Sequence, residues 1–309
     1  MRVIRADLLL LIVALIWGVG FVVQRTAMEA VGPMTFTGLR FLIGAAVLLP
    51  FISWGRVLIV DQTRRSDPKA YWSVMLIAAL AMAAGGILQQ AGLVHTSAGV
   101  AGFITGLYVI IVPLLGLFIG YLVRATTWIA AGVATAGLYL LSVQGQHAVN
   151  PGDWLVLGGT VGWSIQLLAI GWLAKRGNPV TITAIMALIA GAVTIAIALP
   201  VEQPSLTAIR AVTLELLYSG PLAVGVAFLL QVVAQRDAPP AHTAVLIAME
   251  SVFGALAGWL YLNELLTRGQ IVGCVLMFVG IVLAQLKPPR SLESQPTDDP
   301  VTPLRPGSE

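Results

Sequence analysis

Long apolar segments, separated by short clusters of charged residues, follow one another along almost the whole chain. The stretch 70–123 contains no Asp, Glu, Lys or Arg. A membrane-spanning helix needs about 20 predominantly apolar residues, so this stretch accommodates two such helices with a turn between them. The pattern as a whole predicts ten membrane-spanning helices, at residues 6–25, 33–54, 71–92, 98–121, 127–145, 153–173, 179–200, 212–234, 241–262 and 268–286.

The distribution of positive charge predicts the orientation of these helices. Of the 17 Lys and Arg residues, 13 fall on the side of the N-terminus, whereas Arg25, Arg210 and Arg268 fall on the other side and Arg40 lies within a span. Cytoplasmic loops of membrane proteins are enriched in Lys and Arg. Both termini are therefore predicted to be cytoplasmic, as an even number of helices requires.

The two halves of the chain resemble each other. A segment beginning at Asp7 aligns with one beginning at Asp153, which matches Trp17 with Trp163. Because five helices are an odd number, the second copy must enter the membrane in the opposite orientation, and inverted repeats are characteristic of secondary transporters. The fold class is thus an all-α polytopic membrane protein, with one five-helix repeat at 1–145, a second, inverted repeat at 146–286, and a tail at 287–309 that is rich in Pro, Ser and charge and is predicted to be disordered.

The composition favours a membrane protein over a soluble one. Hydrophobic residues make up 58% of the 309 residues and charged residues 10%, and the mean hydropathy is +0.92, whereas soluble domains have about 25% charged residues. No HExxH, GxSxG or GxxxxGK[ST] motif occurs. The signatures of a membrane-embedded enzyme or an ATP-driven pump are therefore missing from the sequence.

Six stretches of the sequence together form a recognisable pattern. They are IWGVGFVVQ (16–24), GLRF (38–41), LQQAGLVHTSAGVAGFITGLYVIIVPLLG (88–116), GDWLVLGGTVGWSIQ (152–166), LLQVVAQRDAPPAHTAVLIAMESVFGALAGWLYLNE (229–264) and IVGCVLMFVGIVL (271–283). Over roughly residues 6–286 the chain resembles the EamA-type transporters of the drug/metabolite transporter superfamily. The resemblance implies ten helices in two inverted repeats and export or exchange of small metabolites. It also implies a central cavity lined by the first, third, fourth, sixth, eighth and ninth helices.

One position departs from the family pattern. The family has proline after the carboxylate of the ninth helix, where this chain has Ser251. Proline would remove a backbone hydrogen bond and kink the helix, whereas serine would not. A mechanism that relies on this kink is therefore not expected in this chain.

Two ionisable residues lie deep within predicted spans. The carboxylate is Glu250, in the ninth helix, and the base is Arg40, in the second. Intramembrane ionisable groups are functional by default. Glu250 is consequently a candidate contact for a substrate amine or a candidate proton site, with a structural ion pair or hydrogen bond between the two helices as the alternative. For Arg40, structural pairing or snorkelling is favoured.

Aromatic and amide side chains supply the other candidate site residues. Trp17 and Trp163 occupy matching positions and would stand on either side of a central cavity, unless they serve only in packing or as interfacial anchors. Buried amides need a partner from another helix, water or substrate. Asp7 and Asp153 are interpreted as N-terminal caps of their helices. The predicted substrate-binding residues are Trp17, Gln89, Tyr108, Trp163, Gln166, Gln235 and Glu250.

These features predict a secondary transporter, an exporter or exchanger, that moves a small organic metabolite by alternating access. An amino acid or an amphiphilic drug-like solute suits the aromatic, amide and single-carboxylate chemistry. The rivals are a membrane sensor or channel without transport and, least favoured, an intramembrane enzyme. The predicted location is the cell membrane, with a small-molecule substrate and the lipid bilayer as partners and protons and a second copy of the chain as further candidates. We expect no nucleic acid, no cofactor and no metal.

Overall fold

The computed structural model of the protein describes residues 2–52, 67–120, 123, 125–142, 150–262 and 267–285, and these residues contain α-helices, one π-helix and no β-strand. The predicted tail at 287–309 lies outside the described residues. The helices are α1 (Arg2–Ala27), α2 (Pro33–Leu48), α3 (Pro68–Leu93), α4 (Ala98–Gly106), α5 (Tyr108–Phe118), α6 (Ala125–Ser142), α7 (Pro151–Leu173), α8 (Pro179–Glu202), α9 (Leu206–Ala211), α10 (Thr213–Leu217), the π-helix Tyr218–Val226, α11 (Ala227–Ala234), α12 (Pro240–Ile247), α13 (Glu250–Leu262) and α14 (Arg268–Gln285).

Some of these helices, alone or joined end to end, are long and apolar enough to cross a membrane. Seven such segments occur in the described part of the chain: Ile4–Ala27, Pro68–Leu93, Ala98–Phe118, Pro151–Leu173, Pro179–Glu202, Thr213–Ala234 and Pro240–Ala257. The predicted spans at 33–54, 127–145 and 268–286 contain shorter apolar helices, at Pro33–Leu48, Ala125–Leu140 and Ile271–Leu283. Large apolar side chains such as Leu76, Phe118 and Phe278 are exposed on the outer surface, as expected of a surface that meets lipid.

Two aspartates at matching positions play different structural roles. Asp153 is part of a capping box, in which its carboxylate accepts from the Asn150 backbone N–H at 3.0 Å while Asn150 Oδ1 accepts from the Asp153 N–H at 3.2 Å. The N-cap is therefore Asn150, and the interpretation of Asp153 as the cap is corrected: Asp153 is the third residue of the helix and supplies the reciprocal bond of the capping box. Asp7 is not a cap, because α1 begins at Arg2 and the Asp7 side chain instead lies 2.7 Å from His242 Nε2.

Three segments predicted as continuous helices are interrupted. The segment 98–121 breaks at Leu107, whose N–H bonds to the Ile104 carbonyl in a tight turn. The segment 241–262 breaks at 248–249. This turn precedes Ser251, whose hydroxyl donates to the Gly102 carbonyl at 2.9 Å. The third segment, 212–234, contains the π-helix, in which Pro221 lacks an N–H and cannot support regular helical bonding.

Helices from the two halves pack against each other in matching pairs. Helix α2 packs on α8, and α6 packs on α14. Helix α1 contacts α11 and α13 of the second half, and α7 contacts α3 and α4 of the first. Corresponding helices of the two halves thus have corresponding partners in the other half, as expected of two related repeats. The helices enclose a space between the halves.

Candidate functional site

A central cavity lies between the two halves and contains about 620 Å³ of empty space, including the part that opens to solvent. Its walls come from helices of both halves. They are α1, α2, α3, α4, α5, α7, the π-helix, α11, α12 and α13. Six of the seven predicted substrate-binding residues line it, together with the predicted ion-pair candidate Arg40. Those six are Trp17, Gln89, Tyr108, Trp163, Gln166 and Glu250.

The carboxylate of Glu250 forms a hydrogen bond with the hydroxyl of Tyr108. The hydroxyl donates to Glu250 Oε1 at 2.9 Å, and both residues are buried. Tyr108 is the first residue of α5 and Glu250 the first residue of α13. The two interrupted helices therefore meet at the cavity through the residues that follow their breaks.

A close contact between α1 and α13 fixes the backbone at Glu250. A Cβ on Gly18 would lie 2.5 Å from the Glu250 carbonyl oxygen and 2.7 Å from the Phe253 Cβ. Only glycine permits this approach, since real side chains do not reach such distances. Gly18 consequently lets α1 pass directly beside the carboxylate.

Arg40 does not pair with Glu250, although both side chains line the cavity. One Nη of Arg40 donates to Gln24 Oε1 at 2.6 Å, and its guanidinium carbon lies 5.1 Å from the centre of the Phe41 ring. The alternative of an ion pair between the second and ninth helices is therefore wrong. The guanidinium instead donates a hydrogen bond to the side chain of Gln24, which lies in the neighbouring helix α1.

Three aromatic rings form one wall of the cavity. The rings of Trp17 and Phe228 have centroids 4.8 Å apart, and those of Trp163 and Phe228 have centroids 6.0 Å apart with an interplanar angle of 27°. Phe228 thus contacts both tryptophans. Trp17 and Trp163 both reach the cavity, but the expectation that they stand on either side of it does not match this placement, because Phe228 joins them in one wall.

Each tryptophan is oriented by a hydrogen bond from its indole N–H. Trp163 Nε1 donates to Gln89 Oε1 at 2.5 Å. Trp17 Nε1 donates to the Ala223 carbonyl at 2.9 Å. That carbonyl is free to accept because the Ala227 N–H bonds to Leu222, five residues back in the π-helix. The irregular helix thereby positions an aromatic side chain of the cavity.

The remaining predicted amides have different environments. Gln166 lines the cavity, and its Nε2 lies 3.8 Å from the Met186 sulfur. Gln235 is not among the residues that line the cavity: its Nε2 donates to the Leu167 carbonyl at 3.0 Å, which ties the end of α11 to α7. The prediction that Gln235 binds substrate is therefore not supported by its position. In the sequence, a buried amide at a helix end cannot be distinguished from an amide that faces the cavity.

Several lining residues were not predicted. Phe21, Gln24, Phe41, Phe228 and Gln231 all contribute to the walls. Two of them follow Trp17 on one face of α1, at the four- and seven-residue spacings that a helix places together. From this spacing, Phe21 and Gln24 could have been predicted to line the cavity. No comparable pattern singled out Phe41 or Phe228.

Some buried polar atoms at the cavity have no hydrogen-bond partner among the residues that the structure describes. They are Arg40 Nε, Thr105 Oγ1 and Gln231 Oε1. Buried polar groups are normally paired with protein, water or a ligand. Within the described residues, no group of three or more His, Cys, Asp or Glu side chains is placed to hold a metal ion.

Outside the cavity, polar contacts hold helix ends at two separate places, one before the start of α8 and one at its end. Arg236, between α11 and α12, donates to the carbonyls of Ala174 and Gly177 at 3.1 and 2.9 Å. Burial lowers the pKa of Arg236, and the neighbouring Asp237 opposes that lowering. Glu202, at the end of α8, accepts from the backbone N–H groups of Met34 and Thr35 at 2.7 Å each.

A family model described as the EamA-like transporter family matches the chain twice, at residues 4–143 and 150–286. The protein belongs to this family of membrane transporters, and it is a multi-pass membrane protein. It is 30% identical over 288 residues to an uncharacterised transporter of Archaeoglobus fulgidus, covering 91% of this chain and 86% of the relative.

Two further comparisons agree with this assignment. The chain is 24% identical over 306 residues to the S-adenosylmethionine/S-adenosylhomocysteine transporter of Chlamydia trachomatis, covering 89% of this chain and 87% of that protein. A solved crystal structure superimposes with a TM-score of 0.74 at 21% identity, covering 91% of this chain and 96% of the other. At that identity the likeness establishes a shared fold.

Proposed function

We propose that this protein is a secondary transporter, an exporter or exchanger, that moves a small organic metabolite across the cell membrane by alternating access. In this proposal ten spans form two inverted five-helix repeats, with both termini in the cytoplasm. The supporting observation is the central cavity, where Glu250 and Tyr108 meet at the breaks of two helices. Secondary transporters place their substrate site at such discontinuous helices between repeats.

The chemistry of the walls favours a small amphiphilic solute such as an amino acid. Trp17, Phe228 and Trp163 offer apolar ring faces. Glu250 offers a negative charge to a cationic group, and Gln166 and Gln231 offer amide groups to polar atoms. The name of the Chlamydia relative also places amino-acid derivatives among the candidates.

Glu250 couples the occupancy of the cavity to the conformation of the helices. Its carboxylate can hold either a proton or the cationic group of the solute, and both would compete with the hydrogen bond that Tyr108 donates. A change at this bond acts directly on the starts of α5 and α13, which lie beside the helix breaks. Breaks of this kind are where transporter helices bend as one repeat moves against the other.

The experiment that tests the function is efflux from proteoliposomes. Vesicles carrying wild type, Glu250→Gln or Glu202→Gln are preloaded with a labelled mixture of amino acids, and efflux is followed with and without a pH gradient. Glu202→Gln is the matched control, because it neutralises a partly buried carboxylate that lies outside the cavity.

The proposal expects saturable efflux of at least one component by wild type and by Glu202→Gln. It expects the pH gradient to drive efflux only where Glu250 is present. Equal efflux by Glu250→Gln at every pH would remove Glu250 from the mechanism, and the absence of any amino-acid movement would remove the proposed substrate class.

A further inference from the structure

The cavity contains a positive charge that the described residues leave without a counter-charge. Arg40 is 5% exposed and lines the cavity, and its Nε has no hydrogen-bond partner. Within the described part of the chain no carboxylate forms an ion pair with it; Glu250, which shares the cavity, accepts instead from Tyr108. An isolated buried charge is costly unless an anion or a set of acceptors compensates it.

The guanidinium is held in a defined place by neighbouring side chains. Gln24 accepts from one Nη at 2.6 Å and is itself fixed through its Nε2, which donates to the Gly20 carbonyl at 3.0 Å. The rings of Phe36 and Phe41 lie 5.9 and 5.1 Å from the guanidinium carbon. One Nη of the guanidinium therefore has an acceptor in the protein, whereas Nε has none among the described residues.

We infer that Arg40, held by Gln24, is an anion subsite of the cavity and that its ligand is the carboxylate of the transported solute. The inference rests on the proposed function and deepens it, because it requires the solute to carry a carboxylate. A guanidinium presents its N–H donors in a planar fork that matches the two oxygens of a carboxylate.

The balance of charge favours a carboxylate over a phosphate. The described lining contains one guanidinium and one carboxylate, Arg40 and Glu250. A dianionic phosphate would be repelled by ionised Glu250 and matched by only one positive charge, and both interactions are strong at low local dielectric. A solute with one carboxylate and one amine would find a partner for each group.

The test measures thermal stabilisation of the purified full-length chain by a panel of neutral amino acids. Each amino acid is compared with its own carboxamide, in which a neutral amide replaces the carboxylate while the amine and side chain stay the same. A ligand that binds the folded state raises Tm, and the stabilisation grows with the logarithm of the ratio of its concentration to its Kd. The variants are Arg40→Gln and, as a matched control, Arg236→Gln, which removes a partly buried guanidinium outside the cavity.

At least one amino acid is expected to stabilise the wild type, with its carboxamide binding about tenfold to a hundredfold more weakly, as for the loss of a charge-assisted hydrogen bond. Arg236→Gln retains this preference, and Arg40→Gln loses it. If Arg40→Gln does not fold, Gln24→Leu replaces it, and the preference is again expected to fall because the guanidinium loses its support.

The inference is overturned if no amino acid of the panel stabilises the wild type, or if the Arg40 or Gln24 variant keeps the full preference for the acid. An amino acid that binds through its carboxylate but does not cross a vesicle membrane would contradict the proposed function alone. Saturable transport of a carboxamide as fast as its acid would contradict the carboxylate subsite alone.

Discussion

The hydroxyl of Tyr108 and the carboxylate of Glu250 are joined by a 2.9 Å hydrogen bond, and each residue begins a helix that follows a break. One belongs to the first half of the chain and the other to the second. This bond connects the two interrupted helices at the cavity wall, beside the bond from the Ser251 hydroxyl to the Gly102 carbonyl. Any ligand or proton that occupies Glu250 acts on this connection.

Replacing the partners of this bond tests whether they act together. Tyr108→Phe and Glu250→Gln are each expected to lower Tm, because a buried hydrogen bond to a charged group contributes about 1.5–3 kcal/mol. The double variant should lose less than the two single losses combined, since with Phe at position 108 there is no hydroxyl left to donate to either Glu or Gln at position 250. Thermal unfolding of all four proteins measures the coupling, and strict additivity would show that the bond carries no energy.

The close approach of α1 to Glu250 makes Gly18 intolerant of substitution. Gly18→Ala places a methyl group 2.5 Å from the Glu250 carbonyl oxygen, so the helices must separate. Overpacking of this kind costs about 1–3 kcal/mol. Gly132→Ala is the control, because nothing lies within 4 Å of a Cβ there. We expect a lower Tm and slower transport for Gly18→Ala only; similar behaviour of the two variants would contradict the close contact.

The ring of Phe228 is expected to determine how aromatic solutes bind. It contacts both Trp17 and Trp163, and aromatic pairs contribute about 0.5–1.5 kcal/mol beyond the area they bury. Phe228→Leu keeps most of the volume but removes these contacts. Competition assays should show weaker binding of phenylalanine and tryptophan, by about threefold to tenfold, with leucine much less affected. An equal loss for all three would indicate a general packing defect.

The contact between Asp7 and His242 links the start of α1 to α12. Their side chains lie 2.7 Å apart and are largely buried. Asp7→Asn and His242→Gln are expected to lower Tm non-additively. Asp153→Asn, at the matching position, changes the third residue of a capping box and should cost about 1 kcal/mol irrespective of His242. If Asp7→Asn and His242→Gln prove additive, the two side chains do not stabilise each other.

The sequence predicted those parts of the site that follow from symmetry and burial. Trp17 and Trp163 were paired by the repeat, and Glu250 was conspicuous as a carboxylate in an apolar span. The structure brings all three to one cavity. Their positions were predictable because a helix has a fixed period and a buried charge needs a polar surrounding.

The helix breaks and the partner of Arg40 could not be predicted in the same way. The break at Leu107 has no proline beside it, and the break before Glu250 occurs although Ser251 replaces the proline of the family pattern. The pairing of Arg40 with Gln24 depends on the relative placement of α1 and α2, which hydropathy does not specify.

The measurement that tests the central claim most directly is counterflow in proteoliposomes that contain the full-length wild-type chain. Vesicles are loaded with a high concentration of unlabelled amino acids and diluted into a trace of the labelled mixture. A cavity that opens alternately to the two sides predicts a transient accumulation of label above its equilibrium level, abolished when the internal amino acids are omitted. Label that only equilibrates, without this overshoot, would contradict alternating access and would favour a channel.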